Sequence, residues 1–116
     1  MDHSEYVIAM KAELVGVARK ILSGETSILE GCREIEVLRY EIDDPENSIF
    51  YPIRAFESES SHYPTTNRSL FSQDLITRLD NELASLSETM KESIFDSCRK
   101  IIELFDVPLL DEQYFG

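Results

Sequence analysis

The longest helical pattern in the chain is SQDLITRLDNELASLSETMKESIFDSCRKIIELFDVP, which spans residues 72–108. Its apolar residues recur at spacings of three and four, as on one face of an α-helix. They are Leu75, Leu79, Leu83, Leu86, Met90, Ile94, Cys98, Ile101 and Phe105. Ser72 is the predicted N-cap, and Pro108 falls just after the predicted end. A helix of about 33 residues is roughly 50 Å long, so we expect it to be the spine of the fold.

Two shorter helical patterns precede this segment. The first predicts a helix over about residues 4–22, with Asp2 and Glu5 as a capping box and Gly24 at its end. The second runs through Ile28, Cys32, Ile35, Leu38 and Ile42, with Ser27, Thr26 or Ser23 as its cap. The short turn between them indicates an antiparallel hairpin. Gly31 inside the second pattern costs about 1 kcal/mol relative to Ala, and it allows a neighbouring helix to approach closely.

Residues 48–72 fit two interpretations. Ile49, Ile53 and Phe56 have helical spacing, whereas Ile49, Tyr51 and Ile53 would equally suit a strand. A lone strand has nothing to pair with here, so we favour a short helix over about residues 48–60. The tail 107–116 is apolar enough to fold back onto the helices. We therefore predict a single all-α domain over residues 1–116, a small up-and-down helical bundle with a long C-terminal helix.

Composition excludes several classes of function. The 116 residues include 23 acidic and 11 basic side chains, for a net charge of −12. This balance argues against direct binding of nucleic acid or of an anionic membrane surface, because both need clustered Lys and Arg. No apolar run is long enough to span a bilayer. The N-terminus lacks a basic segment and an apolar signal core, so we expect a cytoplasmic protein.

Few residues point to catalysis. Glu59 and His62 have the Glu-x-x-His spacing of di-iron bundles, but that spacing occurs once where such sites need it twice. Cys32 and Cys98 lie on apolar stripes, where we expect structural thiols rather than nucleophiles. No phosphate loop, dinucleotide fingerprint, serine elbow or zinc spacing is present. We expect no enzymatic activity, no cofactor and no metal.

The distribution of charge is the most informative feature. Residues 25–62 hold ten acidic and three basic residues, whereas residues 1–24 hold three of each. A solvated face that keeps the protein soluble would explain this equally well. A docking surface for a basic partner is the sharper hypothesis, since complementary charge steers encounter. Its predicted contact residues are Glu30, Glu34, Glu41, Asp43, Asp44, Glu46, Glu57 and Glu59. Three tyrosines, typical of interfaces but also of cores, lie in or beside this region: Tyr40, Tyr51 and Tyr63.

Two blocks of sequence resemble a family of short bacterial helical proteins of unknown function, and the similarity covers about residues 20–105. The first combines Leu22-Ser23-Gly24-Glu25 with Glu30-Gly31-Cys32-Arg33. The second combines Ser58-Glu59-Ser60-Ser61-His62-Tyr63-Pro64 with Arg68-Ser69-Leu70-Phe71, and it differs from the family's pattern at Ser60, Ser61 and Phe71. Some such small acidic proteins resemble immunity proteins of the contact-dependent growth inhibition type.

The resemblance implies an immunity protein that neutralises a cognate toxin, such as a basic nuclease domain, by steric and electrostatic blockade. A small helical accessory or regulatory protein, acting by protein–protein contact or self-association, is the alternative. The polar segment shared with the family also suggests a hydrogen-bonded network that joins the short helix to the long one. Its predicted members are Ser58, Glu59, His62 and Arg68.

Overall fold

The computed structural model describes residues 2–64 and 66–106 of the chain. These residues form four α-helices and no strand, which confirms the predicted all-α bundle with a long C-terminal helix. The helices are α1 (His3–Ser23), α2 (Ile28–Leu38), α3 (Tyr51–Ser60) and α4 (Gln73–Phe105). Single turns of 3-10 helix occur at Arg39–Glu41, Ser48–Phe50 and Arg68–Leu70. The helix predicted over about residues 48–60 is confirmed, while the tail 107–116 lies outside the described residues.

The first two helices form the predicted antiparallel hairpin. Asp2 and Glu5 make the expected capping box at the start of α1. Gly24 ends α1 in the left-handed conformation, with φ at 85°, which glycine adopts without a Cβ clash. The Tyr6 hydroxyl donates a hydrogen bond of 2.5 Å to Glu41 Oε1. The start of α1 therefore lies beside the end of α2.

Helix α3 runs antiparallel to both of its neighbours. Arg33 Nη2 donates a hydrogen bond of 2.9 Å to the Ser60 carbonyl oxygen, which brings the middle of α2 to the end of α3. Ser97 Oγ donates one of 2.6 Å to the Ile49 carbonyl oxygen, which pairs the turn before α3 with the C-terminal part of α4. Together with the first hairpin, these contacts give the up-and-down order of the bundle.

One hydrophobic core runs through all four helices. Its fully buried members are Leu14, Ala18, Cys32, Ile35, Phe50, Ile53, Phe56, Ile94, Cys98 and Ile101. Burial changes along α4, where Leu83, Leu86 and Met90 are only partly buried at the edge of this core. In the described part of the chain, no helix combines the length and apolarity needed to cross a lipid bilayer.

Gly31 marks the close contact between α1 and α2 that its position predicted. A Cβ atom at this position would lie 2.6 Å from Ile21 Cδ1, and Ile21 is itself buried in the core. We expect Gly31→Ala to lower the free energy of unfolding by about 1 kcal/mol, because overpacking outweighs the gain in helix propensity.

Gly16 in the middle of α1 provides a matched control. A Cβ atom there would have no neighbouring atom within 4 Å. We expect Gly16→Ala to raise the free energy of unfolding by roughly 0.5–1 kcal/mol, since only helix propensity changes. Urea denaturation of the two variants gives the comparison. An equal gain in both would show that the helices have room at Gly31.

Candidate functional site

Most of the predicted contact residues lie on the surface of α2 and of the loop that follows it. Seven of the eight are exposed, and we call these seven the acidic surface: Glu30, Glu34, Glu41, Asp43, Asp44, Glu46 and Glu59. The eighth, Glu57, is half-buried, with 23% of its side chain exposed. Glu57 therefore belongs to the contact between α2 and α3 rather than to the acidic surface.

Exposed apolar side chains lie among the carboxylates of α2. Glu30 and Glu34 are one turn apart on the helix, and neither forms an ion pair among the residues described. Further along, Val37 is 67% exposed and Tyr40 is 59% exposed, just before Glu41. Val37 follows Glu34 by three residues and precedes Glu41 by four, so the exposed apolar side chain lies between carboxylates along the chain. Protein interfaces likewise combine apolar residues that become buried with polar residues at the rim.

The loop that follows α2 carries two further acids held in fixed positions. Asp43 Oδ1 lies 3.5 Å from His3 Nε2, and both side chains remain largely exposed. Asp44 Oδ2 accepts a hydrogen bond of 2.8 Å from Asn47 Nδ2. These contacts order the loop while the carboxylates stay accessible to a partner.

A buried arginine, Arg39, holds the end of α2, the loop and Tyr40 together. Its guanidinium binds the Glu36 carboxylate through two hydrogen bonds of 3.0 and 2.9 Å. Nη1 donates a further hydrogen bond of 2.6 Å to the Pro45 carbonyl oxygen, and Nη2 donates one of 2.8 Å to the Tyr40 hydroxyl. Nη1 also lies 3.8 Å from Glu46 Oε2. Arg39 thus neutralises the partly buried Glu36 carboxylate and orients the exposed Tyr40 ring.

The position of Arg39 in the sequence already indicates a buried arginine. Arg39 follows Ile35 by four residues and Cys32 by seven, so it lies on the apolar stripe of α2. Glu36 precedes it by three residues, a spacing at which helical side chains meet. The hydrogen bond with Glu36 raises the pKa of the guanidinium.

A chain of contacts connects Tyr40 to a second exposed tyrosine, Tyr51. Arg39 lies with its Cζ 4.2 Å from the Tyr40 ring centre. Glu46, which faces Arg39, accepts a hydrogen bond of 2.8 Å from Arg54 Nη1. The Arg54 Cζ is in turn 5.8 Å from the centre of the Tyr51 ring. The two rings are therefore held by one network of ion pairs and cation–π contacts.

The four members of the predicted polar network do not bond to one another in the described structure. Ser58 and Glu59 are exposed, because the opposite side of α3 carries its buried residues, and His62 is exposed in the turn that follows the helix. Arg68 does connect its segment to α4, through a hydrogen bond of 2.7 Å from Nη2 to Asp80 Oδ2.

Arg33 and Tyr63 make polar contacts that connect α2, α3 and α4. Arg33 Nη2 donates hydrogen bonds of 2.9 Å to the carbonyl oxygens of Ser60 and Tyr63. Its Nε lies 3.8 Å from Glu57 Oε2. Tyr63 is buried, unlike Tyr40, and its hydroxyl donates a hydrogen bond of 3.4 Å to Glu82 on α4. Sequence spacing provides no signal for these contacts, since the partners are far apart in the chain.

Burial gives Glu57 a pH-dependent effect on stability. Desolvation raises the pKa of this carboxyl, Arg33 opposes the shift and Glu36 adds to it. Its Oε1 is buried without a hydrogen-bond partner among the described residues. A carboxyl whose pKa is higher in the folded state stabilises the fold below its unfolded pKa, and this contribution is lost as pH rises through the folded pKa.

We therefore expect the stability of the wild type, relative to Glu57→Gln, to fall as pH rises from about 4 to about 7. Urea denaturation across this range measures the difference. Glu59→Gln, an exposed change on the same helix, should show no such trend. Parallel curves for the wild type and Glu57→Gln would contradict the effect.

The two cysteines, which are the remaining candidates for a reactive group, lie in the hydrophobic core. Cys32 and Cys98 are fully buried, and burial raises the pKa of Cys98 to about 12 and that of Cys32 further. Both thiols are therefore protonated at neutral pH. Across residues 2–64 and 66–106, no three His, Cys, Asp or Glu side chains are grouped so as to hold a metal ion.

Comparison with known proteins identifies no relative of this chain. No protein-family model matches the chain, and no curated protein or solved structure matches it either. The charges and contacts of the acidic surface are therefore the basis for a functional proposal.

Proposed function

We propose that this chain is an immunity protein, which binds a cognate bacterial toxin through the acidic surface and neutralises it without catalysis. The observation that carries the proposal is that exposed carboxylates and the exposed side chains of Val37 and Tyr40 share one segment of the chain, which runs from α2 into the following turn. Exposed apolar side chains of this size lose contact with water when a partner covers them. The neighbouring carboxylates then select the charge of that partner.

The negative field of this surface is only partly compensated within the chain. The three arginines of residues 25–62 are all engaged in internal contacts, and Arg39 is directed mainly to Glu36, which is outside the acidic surface. Against them stand ten acidic residues in the same region. A field of this kind accelerates the approach of a basic protein and repels an acidic one.

A toxin domain that acts on nucleic acid is the basic partner that best fits this surface. Its cleft must attract phosphate groups, so it carries clustered Lys and Arg. Carboxylates presented on a rigid helix and an ordered loop offer anionic oxygens to the same cleft and block it.

Capture of the partner from the encoding bacterium tests the proposal. The full chain is immobilised, and bound proteins are identified by mass spectrometry at roughly 0.05 M and roughly 0.5 M salt, which bracket the range of strong screening. We expect one basic protein at low salt and its loss at high salt. Recovery of the bait alone, or of an acidic resident protein, would contradict the immunity proposal.

One observation favours the alternative, a small accessory or regulatory protein that self-associates. Leu70 is 80% exposed, and Phe71 beside it is also exposed, both outside the acidic surface. Adjacent exposed apolar residues mark contact sites. Sedimentation equilibrium of the wild type and of Leu70→Ser decides between the two: a dimer lost in the variant supports the alternative, and a monomer at all concentrations counts against self-association.

A further inference from the structure

We propose that the exposed rings of Tyr40 and Tyr51 bind arginine side chains of the partner protein, so that the surface selects an arginine-rich partner over a lysine-rich one. This inference deepens the proposed function, on which it rests. It concerns the chemistry of the contact, which the sign of the charge alone does not determine. The occupant is an arginine-rich surface of another protein, not a second copy of this acidic chain, which would bring like charges together.

Tyr40 and Tyr51 lie outside the hydrophobic core. Tyr40 and Tyr51 are 59% and 55% exposed, whereas Tyr63 is buried. An exposed aromatic ring contributes little to folding, but it offers a large apolar face to a partner. Both rings lie at the junction of α2, the following loop and α3, next to carboxylates of the acidic surface.

Internal arginines hold both rings in place and show the chemistry proposed for the partner. Arg39 lies 4.2 Å from the Tyr40 ring centre and also binds the Tyr40 hydroxyl. Arg54 lies 5.8 Å from the Tyr51 ring centre. Each of these arginines occupies only part of its ring's surroundings, since more than half of each tyrosine remains exposed. The Tyr40 ring, which Arg39 contacts both at its face and at its hydroxyl, therefore loses little conformational freedom on binding.

Two exposed carboxylates lie near the rings along the chain. Glu41 follows Tyr40 and accepts a hydrogen bond from Tyr6, and Glu46 is bonded to Arg54, which lies beside Tyr51. A carboxylate has about four acceptor positions, so each of the two can accept a further hydrogen bond from a guanidinium. A guanidinium stacks on an aromatic ring and pairs with a carboxylate through its planar edge. An ammonium group is more strongly hydrated and lacks the planar fork, so lysine gains less from the same surroundings.

The test compares an arginine octapeptide with a lysine octapeptide of equal charge, binding to the full chain at one ionic strength. We expect the arginine peptide to bind about three- to tenfold more tightly, because both cations are attracted to the rings but only the planar guanidinium also stacks on them and pairs with a carboxylate through its fork. Aromatic NMR signals of Tyr40 and Tyr51 should shift with the arginine peptide. Calorimetry gives the affinities, and both peptides should weaken alike as salt is added.

Variants separate the rings from the charges. The double change Tyr40→Leu with Tyr51→Leu should abolish the preference and leave equal, salt-dependent binding of both peptides. Tyr40→Phe keeps the ring and should keep the preference, which guards against a loss caused by misfolding. Phe71→Leu removes an exposed ring elsewhere and should change nothing.

Equal affinity of the wild type for the two peptides would overturn the inference, as would a preference that survives in the folded double variant. Its failure is distinguishable from failure of the proposed function. A basic partner captured in a salt-dependent manner, without any arginine preference, would leave the immunity proposal standing and remove the tyrosine contacts. An arginine preference without a captured basic partner would confirm the contacts and contradict the immunity proposal.

Discussion

Arg39→Ala is expected to lower the free energy of unfolding by about 2–4 kcal/mol, which is less than the cost of breaking a fully buried ion pair because Glu36 keeps 27% of its side chain exposed. Arg39 is only 1% exposed, so its alkyl chain is lost from the packed interior as well as its charge. Glu36 would lose both of its hydrogen bonds with Arg39, and the Pro45 carbonyl oxygen would lose its donor. Urea denaturation, followed by circular dichroism, measures the effect.

Two further variants test the cause of that loss. Arg39→Lys retains the charge but not the paired hydrogen bonds, so we expect it to recover less than half of the lost stability. Arg54→Ala removes an arginine that binds an exposed carboxylate, Glu46, and should cost no more than about 1 kcal/mol. If the two variants Arg39→Ala and Arg54→Ala lost similar amounts of unfolding free energy, the buried contacts of Arg39 would not be a major source of stability.

Reversal of charge on α2 is expected to slow association with the captured partner about tenfold or more. The double variant Glu30→Lys with Glu34→Lys places two positive charges where the proposed surface is negative. Glu88→Lys with Glu92→Lys is the matched control on α4, because both residues are exposed, have the same spacing and give the same change in net charge. We expect the control to slow association much less.

Stopped-flow measurement of the association rate constant over a range of salt concentration gives this comparison. The dependence on salt should flatten in the α2 variant and stay close to that of the wild type in the α4 control. Glu30 lies in the first turn of α2, where a carboxylate interacts favourably with the helix dipole and stabilises the helix. The folding of each variant is therefore checked first. Equal slowing by both variants would mean that net charge, and not the acidic surface, governs the encounter.

The helices could be predicted from the sequence because their signals are local. Periodic apolar residues gave α4 its length, and the Ser72 side chain accepts a hydrogen bond from the Leu75 amide at the predicted cap. In residues 48–56, which include the start of α3, the spacing of the apolar residues alone does not distinguish a helix from a strand. Pro52 falls in the first turn of the helix, where it is tolerated, which agrees with the helical interpretation.

The polar contacts could not be predicted in the same way because they depend on tertiary structure. Arg33 bonds to carbonyl groups at the end of α3, about 30 residues further along the chain, and no spacing rule connects them. Arg39 was detectable as a charged residue on an apolar stripe. The sequence predicts Glu57 to be exposed like the other acidic residues, because the charge of a residue does not reveal whether it is buried. In the structure it lies between α2 and α3.

Protection of growing cells is the most direct test of the acidic surface. The captured partner is expressed in bacteria together with graded, limiting amounts of the wild type, of Glu30→Lys with Glu34→Lys, or of Glu88→Lys with Glu92→Lys. We expect growth to be restored by the wild type and by the α4 control, and not by the α2 variant at equal abundance. Equal protection by the α2 variant, or no toxicity of the partner without the chain, would contradict neutralisation through the acidic surface.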